Sequence, residues 1–84
     1  MTEQGLRINN HSELDDQRVC YWKTDNDWFL YLPRCGVGKL TLHNVIEHRD
    51  GTITVTPSIV MTGHDNGKEM KRHGYMTNGM WKEV

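Results

Sequence analysis

The stretch KLTLHNVIEHRDGTITVTPSIV, residues 39–60, contains two runs of apolar and β-branched residues on either side of Asp50-Gly51. An Asp-Gly pair between two such runs predicts a β-hairpin with a two-residue turn, because both turn positions need a positive φ. Counting outward from this turn places Ile46 opposite Val55 on one face of the hairpin. The turn residues and the hydrophobic pattern therefore predict the same strand register.

A second hairpin is predicted earlier in the chain, where residues 19–23 and 28–32 flank a short polar turn. Alternation divides its side chains into two sets, Cys20, Trp22, Phe29 and Tyr31 on one face and Val19, Tyr21, Leu30 and Leu32 on the other. Because both faces are apolar, this hairpin is either central in a sandwich or presents aromatic side chains to a partner.

A third hairpin is predicted over residues 72–84 about Asn78-Gly79, with Met76 facing Trp81. Residues 62–68 are interpreted as a glycine-rich connector, and Pro57 predicts a bend, a bulge or an edge position in its strand. No stretch has helical periodicity. We therefore expect an all-β fold, a small antiparallel roll, sandwich or open barrel built from three hairpins.

The length and composition predict a single domain with a small core. Residues 1–17 are polar, with few apolar residues to bury, and are expected to form a partly ordered arm or to place a short edge strand at residues 6–8. Residues 18–84 are expected to form the single β domain.

Charge and hydropathy narrow the choice of environment and partner. Ten Lys and Arg residues oppose eleven Asp and Glu residues, so charge alone favours neither nucleic acid nor an anionic membrane. No apolar run is long enough for a membrane span, and the first residues lack the features of a signal peptide. We expect a cytoplasmic protein whose two cysteines, Cys20 and Cys35, are free thiols.

The order of several short motifs resembles an uncharacterised family of small phage and bacterial proteins, sometimes labelled a domain of unknown function or "ammonia monooxygenase". That family has a Cys-Pro-x-Cys-Gly knuckle, a following His, a Pro-Ser-Ile/Leu strand and a Cys-His-x-Phe/Tyr-x-x-x-Gly hairpin. The resemblance covers about residues 28–82. It is carried by Pro33, Cys35, Gly36, His43, Pro57, Ser58, Ile59, His73, Tyr75 and Gly79.

The resemblance implies a β domain stabilised by zinc and encoded by a phage, with the bacterial host cytoplasm as its location. Two expected cysteines are replaced here, one by Leu32 and one by Arg72. Structural zinc needs four ligands, and the surviving candidates are Cys35, His43 and His73. We therefore expect a degenerate zinc site and no bound cofactor, with Cys35 acting as a small apolar residue near a glycine turn; an occupied zinc site is the alternative.

Catalysis is not expected. Cys35 with His43 or His73 formally permits a cysteine nucleophile, but that chemistry also requires a positioned base and an oxyanion site, and the sequence indicates neither. The glycine-rich segments lack the Gly-Lys-Ser/Thr sequence of a phosphate-binding loop.

The aromatic and methionine content predicts a protein-binding function instead, because a core of this size does not need every large side chain. The interface candidates are Trp22, Trp28, Tyr31, Tyr75, Trp81 and Arg72. The partner would be another protein, for example a host factor, and an open edge strand offers a homodimer as a second route. A structural zinc domain and a weak binder of single-stranded nucleic acid are the alternatives. Nucleic acid is disfavoured because acidic residues interrupt the basic cluster at residues 68–73.

Overall fold

Two β-sheets face each other across the core in the computed structural model, which describes residues 2–84. The strands are β1 (Thr2–Gln4), β2 (Leu6–Arg7), β3 (Cys20–Thr24), β4 (Asp27–Leu32), β5 (Gly36–Lys39), β6 (Asn44–Glu47), β7 (Ile53–Asp65), β8 (Lys68–Thr77) and β9 (Met80–Glu83). A five-stranded sheet has the order β1-β9-β8-β7-β6, and a four-stranded sheet has the order β2-β3-β4-β5. The prediction of an all-β fold is confirmed, and the architecture is a sandwich.

The core lies between the two sheets and draws on both of them. Its buried side chains are Val19, Tyr21, Trp28, Leu30, Leu32 and Leu40 from one half of the chain and Ile53, Val55, Ile59, Met76 and Trp81 from the other. In β4 and at the end of β8 these residues alternate with more exposed ones, as expected for the inner faces of a sandwich.

The β3–β4 hairpin confirms the predicted division into two apolar faces. Cys20 lies opposite Tyr31, and Tyr21 lies opposite Leu30. Tyr21 and Leu30 face the core between the sheets. Cys20 packs on the opposite face of the sheet in a second buried cluster with Ile8 and Trp22. The hairpin is therefore central in the sandwich, which is the first of the two interpretations of its apolar faces.

The first residues of the chain contribute to both sheets. Strand β1 pairs with β9 in one sheet, and β2 pairs in parallel with β3 in the other. The segment around the 3-10 turn at His11–Glu13 covers the outer face of the four-stranded sheet, where Ile8 before the turn and Leu14 after it pack in one cluster with Trp22. This cover explains how a hairpin with two apolar faces buries both of them.

The predicted register of the β6–β7 hairpin is wrong by one residue. Val45, not Ile46, lies opposite Val55. The loop between paired His48 and Thr52 has three residues, 49–51, of which only Gly51 has a positive φ, at 88°. A two-residue turn would need a positive φ at Asp50 as well. The extra loop residue shifts the strand, so that Val45 packs against the core and Ile46 points to solvent.

The prediction of a glycine-rich connector at residues 62–68 is also wrong, because this segment forms the end of the long β7–β8 hairpin. Strand β7 runs to Asp65, and Asn66-Gly67 makes a two-residue turn with φ of 54° and 80°. The three predicted hairpins are therefore present, and β4 with β5 and β7 with β8 form two further antiparallel pairs. Gly63 is needed for close packing here, since a Cβ at this position would lie 2.6 Å from the Arg34 carbonyl oxygen.

Two other expectations for the five-stranded sheet are confirmed. The pairing of β7 with β8 shifts between Val55 and Ile59, so Pro57 lies within a bulge. In the β8–β9 hairpin Met76 lies opposite Trp81. Asn78 and Gly79 both have positive φ, as the predicted turn requires.

Candidate functional site

The predicted interface aromatics fall into two groups. Trp22, Trp28 and Trp81 are buried and contribute to packing within the domain. Tyr31 is half-buried, and its hydroxyl donates a 2.9 Å hydrogen bond to the Asp16 carbonyl oxygen. Tyr75 is 47% exposed. Of the six interface candidates, Tyr75 is therefore the aromatic side chain that a partner could reach most directly.

Tyr75 stands on the solvent side of the five-stranded sheet, which we call the outer face. Val60 lies opposite His73 on this face, and the Val84 N–H donates to the His73 carbonyl oxygen at 2.8 Å. Val60, His73 and Val84 thus form a row across three strands. Lys82 lies opposite Tyr75 in the next row. Val60 and Val84 are exposed by 50% and 73%, which leaves two apolar side chains uncovered on either side of the half-buried His73.

Strand alternation separates the charged residues that are neighbours in the sequence. Lys71 and Lys82 point to the outer face, whereas Arg72 and Glu83 point inward. On the described part of β8 and β9, between Lys71 and Val84, no Asp or Glu side chain points outward. Of the acidic residues that weakened the basic cluster in the sequence, Glu83 is therefore on the opposite side of the sheet from the two lysines, whereas Glu69 shares their face two residues before Lys71.

The inward-facing Arg72 is held in an ion-pair network with Glu3 and Glu83. Its Nε donates to Glu83 Oε1 at 2.7 Å, and its Nη2 lies 3.1 Å from Glu3 Oε1. Burial alone would lower the pKa of Arg72, but these hydrogen bonds to carboxylates outweigh it and raise the pKa. The same Glu83 oxygen accepts a 2.6 Å hydrogen bond from Trp81 Nε1. Arg72 and Trp81 thus stabilise the fold and are poorly placed for a partner.

The three metal candidates do not converge on one point. His73 Nε2 lies 2.9 Å from Ser58 Oγ, and His43 Nε2 lies 3.2 Å from the Ser58 carbonyl oxygen. Cys35 Sγ lies 3.6 Å from the Met61 carbonyl oxygen instead. Among residues 2–84, no group of three or more His, Cys, Asp or Glu side chains is placed to hold a metal ion.

Cys35 and Cys20 are both free thiols. Burial raises the pKa of Cys35, although the nearby Arg72 partly opposes the shift. A raised pKa leaves less thiolate at neutral pH, which is the opposite of what a cysteine nucleophile needs. His73 contacts Ser58, so the pairing of Cys35 with His73 that the sequence permits is replaced by a serine–histidine contact on the sheet.

The residues that sequence reasoning missed are Val60, Lys82 and Val84. The signal that could have found them is the alternation through residues 71–77, where Lys71, His73 and Tyr75 share one face. That signal depends on extending β7 and β8 through the segment interpreted as a connector. Once the two strands are long, the outer face follows from their period of two.

No family model, no curated protein and no solved structure matches the chain. The resemblance to the phage and bacterial family therefore stays a prediction. Within residues 2–84, no helix has the length and apolar character to cross a membrane.

Proposed function

We propose that this chain is a small accessory protein that binds another protein through the outer face of its five-stranded sheet. The observation that carries the proposal is the uncovered row of Val60, His73 and Val84 beside Tyr75. Exposed apolar patches rimmed by polar residues are typical of protein interaction sites. Tyrosine is one of the side chains that contribute most to such interfaces.

The charges of the outer face favour an acidic partner surface. Lys71 and Lys82 lie on either side of the row of Val60, His73 and Val84, and Glu69, which shares this face two residues before Lys71, offsets only one of the two positive charges. A complementary partner has an apolar centre that meets Tyr75 and carboxylates that meet the two lysines. A protein is favoured over single-stranded nucleic acid because the exposed side chains on either side of His73 in the row next to Tyr75 are the aliphatic Val60 and Val84, which offer a base no stacking surface.

The resemblance to small phage and bacterial proteins supports a bacterial host factor as this partner, encountered in the cytoplasm. The function requires neither catalysis nor a bound cofactor. The buried tryptophans keep a structural role, and the binding residues are the outward-facing ones on β7, β8 and β9.

The test compares capture from a nuclease-treated bacterial lysate by three immobilised proteins. The wild type is set beside a Val60→Ser/Tyr75→Ser variant and a Val37→Ser control. Val37 is 46% exposed, a fraction similar to those of Val60 and Tyr75, but it lies on β5 in the other sheet. We expect a protein that the wild type and the control capture and that the outer-face variant loses by about 10-fold or more, as for the loss of one interface hot spot.

Two results would contradict the proposal. Capture that is equal for all three proteins would show that the outer face does not select the partner. Binding of a 20-nucleotide oligo-dT that Tyr75→Ser abolishes, without a selectively captured protein, would favour the nucleic-acid function instead. The interaction with an acidic partner should also weaken as salt is raised, mainly through a slower association rate.

A further inference from the structure

Strand β6 ends the five-stranded sheet and has an open edge. The His48 N–H donates to the Thr52 carbonyl oxygen at 2.8 Å, so the backbone groups of His48 point toward β7. By alternation, Ile46 also bonds toward β7, whereas the N–H and C=O groups of Val45 and Glu47 point away from it. Among residues 2–84, no protein group forms a hydrogen bond with these four backbone groups.

This edge lacks several of the features that protect edge strands, although it is short and Glu47 places one charge on its inward side. The sequence of β6, Asn-Val-Ile-Glu, contains no lysine, proline or glycine. The other terminal strands are better protected, since β1 and β2 have three and two residues and β5 carries Gly36, Gly38 and Lys39. Strand β6 is therefore the edge most suited to pairing with another strand.

The pattern of free groups on β6 is complementary to itself. Val45 and Glu47 lie on either side of Ile46, so two antiparallel copies related by a twofold axis at Ile46 would place each Val45 opposite Glu47 of the second copy. Such opposed residues exchange two hydrogen bonds. The two Ile46 residues would then form the non-hydrogen-bonded pair on the axis, with Cα atoms about 4.5 Å apart. Ile46 is 57% exposed in the single chain, and in the dimer each Ile46 side chain would be covered by the Ile46 side chain of the other copy.

The charge on this edge is already neutralised within each chain. Arg7 Nη1 lies 2.7 Å from Glu47 Oε2, and this hydrogen bond lowers the pKa of the Glu47 carboxyl. Arg7 also donates a 2.8 Å hydrogen bond to the Gly51 carbonyl oxygen, which holds it beside the hairpin. Two β6 strands would therefore meet without bringing together two uncompensated carboxylates.

We propose that the protein forms a homodimer in which the β6 strands of two copies pair in antiparallel fashion about Ile46. The twofold axis is perpendicular to the sheet, so the two five-stranded sheets become one continuous sheet. Both outer faces then lie on the same side. If the proposed partner-binding function holds, the dimer presents two binding faces in one plane and gains affinity for a multivalent partner by avidity. The dimer itself does not depend on that function.

The first test is the molar mass of the full chain by analytical ultracentrifugation over a range of concentrations. We expect the mass to rise toward twice 9.8 kDa for the wild type. Ile46→Lys places two like charges on the axis and should leave a monomer, with an unchanged circular dichroism spectrum because Ile46 is exposed. The matched control is Val60→Lys, since Val60 is 50% exposed on the same face but away from the edge. It should remain a dimer.

The second test is cross-linking on the axis. A Cα separation of about 4.5 Å allows a disulfide, so Ile46→Cys should form a covalent dimer under oxidised glutathione. Val60→Cys should not. A wild type that stays monomeric at several hundred micromolar, a dimer that persists in Ile46→Lys, or equal cross-linking of the two cysteine variants each overturns the proposal.

These outcomes separate the dimer from the partner-binding function. Val60→Lys should lose the captured partner and keep the dimer, whereas Ile46→Lys should lose the dimer and keep a weaker, single-site contact with the partner. A dimer without a selectively captured partner would support the β6 pairing and contradict only the proposed function.

Discussion

Replacement of Gly63 by alanine tests whether residues 62–68 are a rigid part of the sandwich. A Cβ at Gly63 would lie 2.6 Å from both the Arg34 carbonyl oxygen and Cys35 Cα. Ordinary contact begins near 3.4 Å, so the turn at residues 33–35 would have to move by about 0.8 Å. The atoms in the way belong to the backbone, which cannot rotate aside as a side chain can.

The expected cost follows from two opposing contributions. Overpacking of this kind costs about 1–3 kcal/mol. Alanine recovers about 0.5–1 kcal/mol, because it restricts the unfolded chain more than glycine does. Because backbone atoms are in the way, the upper part of the overpacking range applies, and we expect Gly63→Ala to lower the free energy of unfolding by about 1–2.5 kcal/mol. For a domain of this size each kcal/mol corresponds to a decrease in Tm of roughly 4–8 °C.

The matched control is Gly38→Ala on β5. A Cβ there would lie 3.0 Å from Met61 Cε, the end of a flexible side chain that can change rotamer. We expect its free energy of unfolding to change by less than about 0.5 kcal/mol. Urea denaturation followed by tryptophan fluorescence measures both variants. If Gly63→Ala is as stable as Gly38→Ala, the segment behaves as a flexible connector and the packing argument fails.

Two further predictions concern the ion-pair network and the strand register. Burial alone would raise the pKa of Glu83, but hydrogen bonds from Trp81 and Arg72 outweigh it and lower the pKa below the ordinary value of 4.5. The stability that these hydrogen bonds contribute is therefore present above about pH 4.5 and is lost as the pH falls through the lowered pKa. The decrease in Tm on acidification below about pH 4.5 should therefore be smaller for Glu83→Gln, and identical profiles would contradict this. Val45→Asp should lower the free energy of unfolding by about 2 kcal/mol or more, because it places a charge against the core, whereas Ile46→Asp should lower it by less than about 1 kcal/mol. Urea denaturation of dilute protein measures both variants. If Ile46→Asp is the more destabilising of the two, the register predicted from the turn is correct after all.

Local sequence was sufficient wherever a turn had a single solution. At Asn78-Gly79 both residues adopt the positive φ that a two-residue turn requires, and the predicted pairing of Met76 with Trp81 is found. In the β3–β4 hairpin, alternation alone assigned the two faces correctly. In these cases a short segment satisfies its own backbone and side-chain requirements, so the rest of the chain has little to decide.

Asp50-Gly51 shows the opposite case, because the same two residues fit two turn geometries that differ by one residue in register. Both geometries place glycine in the left-handed region, so the turn sequence does not distinguish them. The choice depends on which residue of β6 packs on the core, and in the folded protein that residue is Val45. The open edge of β6 and the exposure of Ile46 follow from this choice.

The sequence by itself determined that the protein is all-β, where several of its turns lie and which residues share a face within a hairpin, because these depend on contacts between neighbours in the chain. Only the tertiary structure decided which apolar face is covered. Trp22 is buried because a distant segment that includes Ile8 packs over it, while Val60 and Tyr75 lie on a face that no segment of residues 2–84 covers. Burial depends on contacts between residues far apart in the chain, and the local pattern of apolar residues is the same for a covered face and an uncovered one.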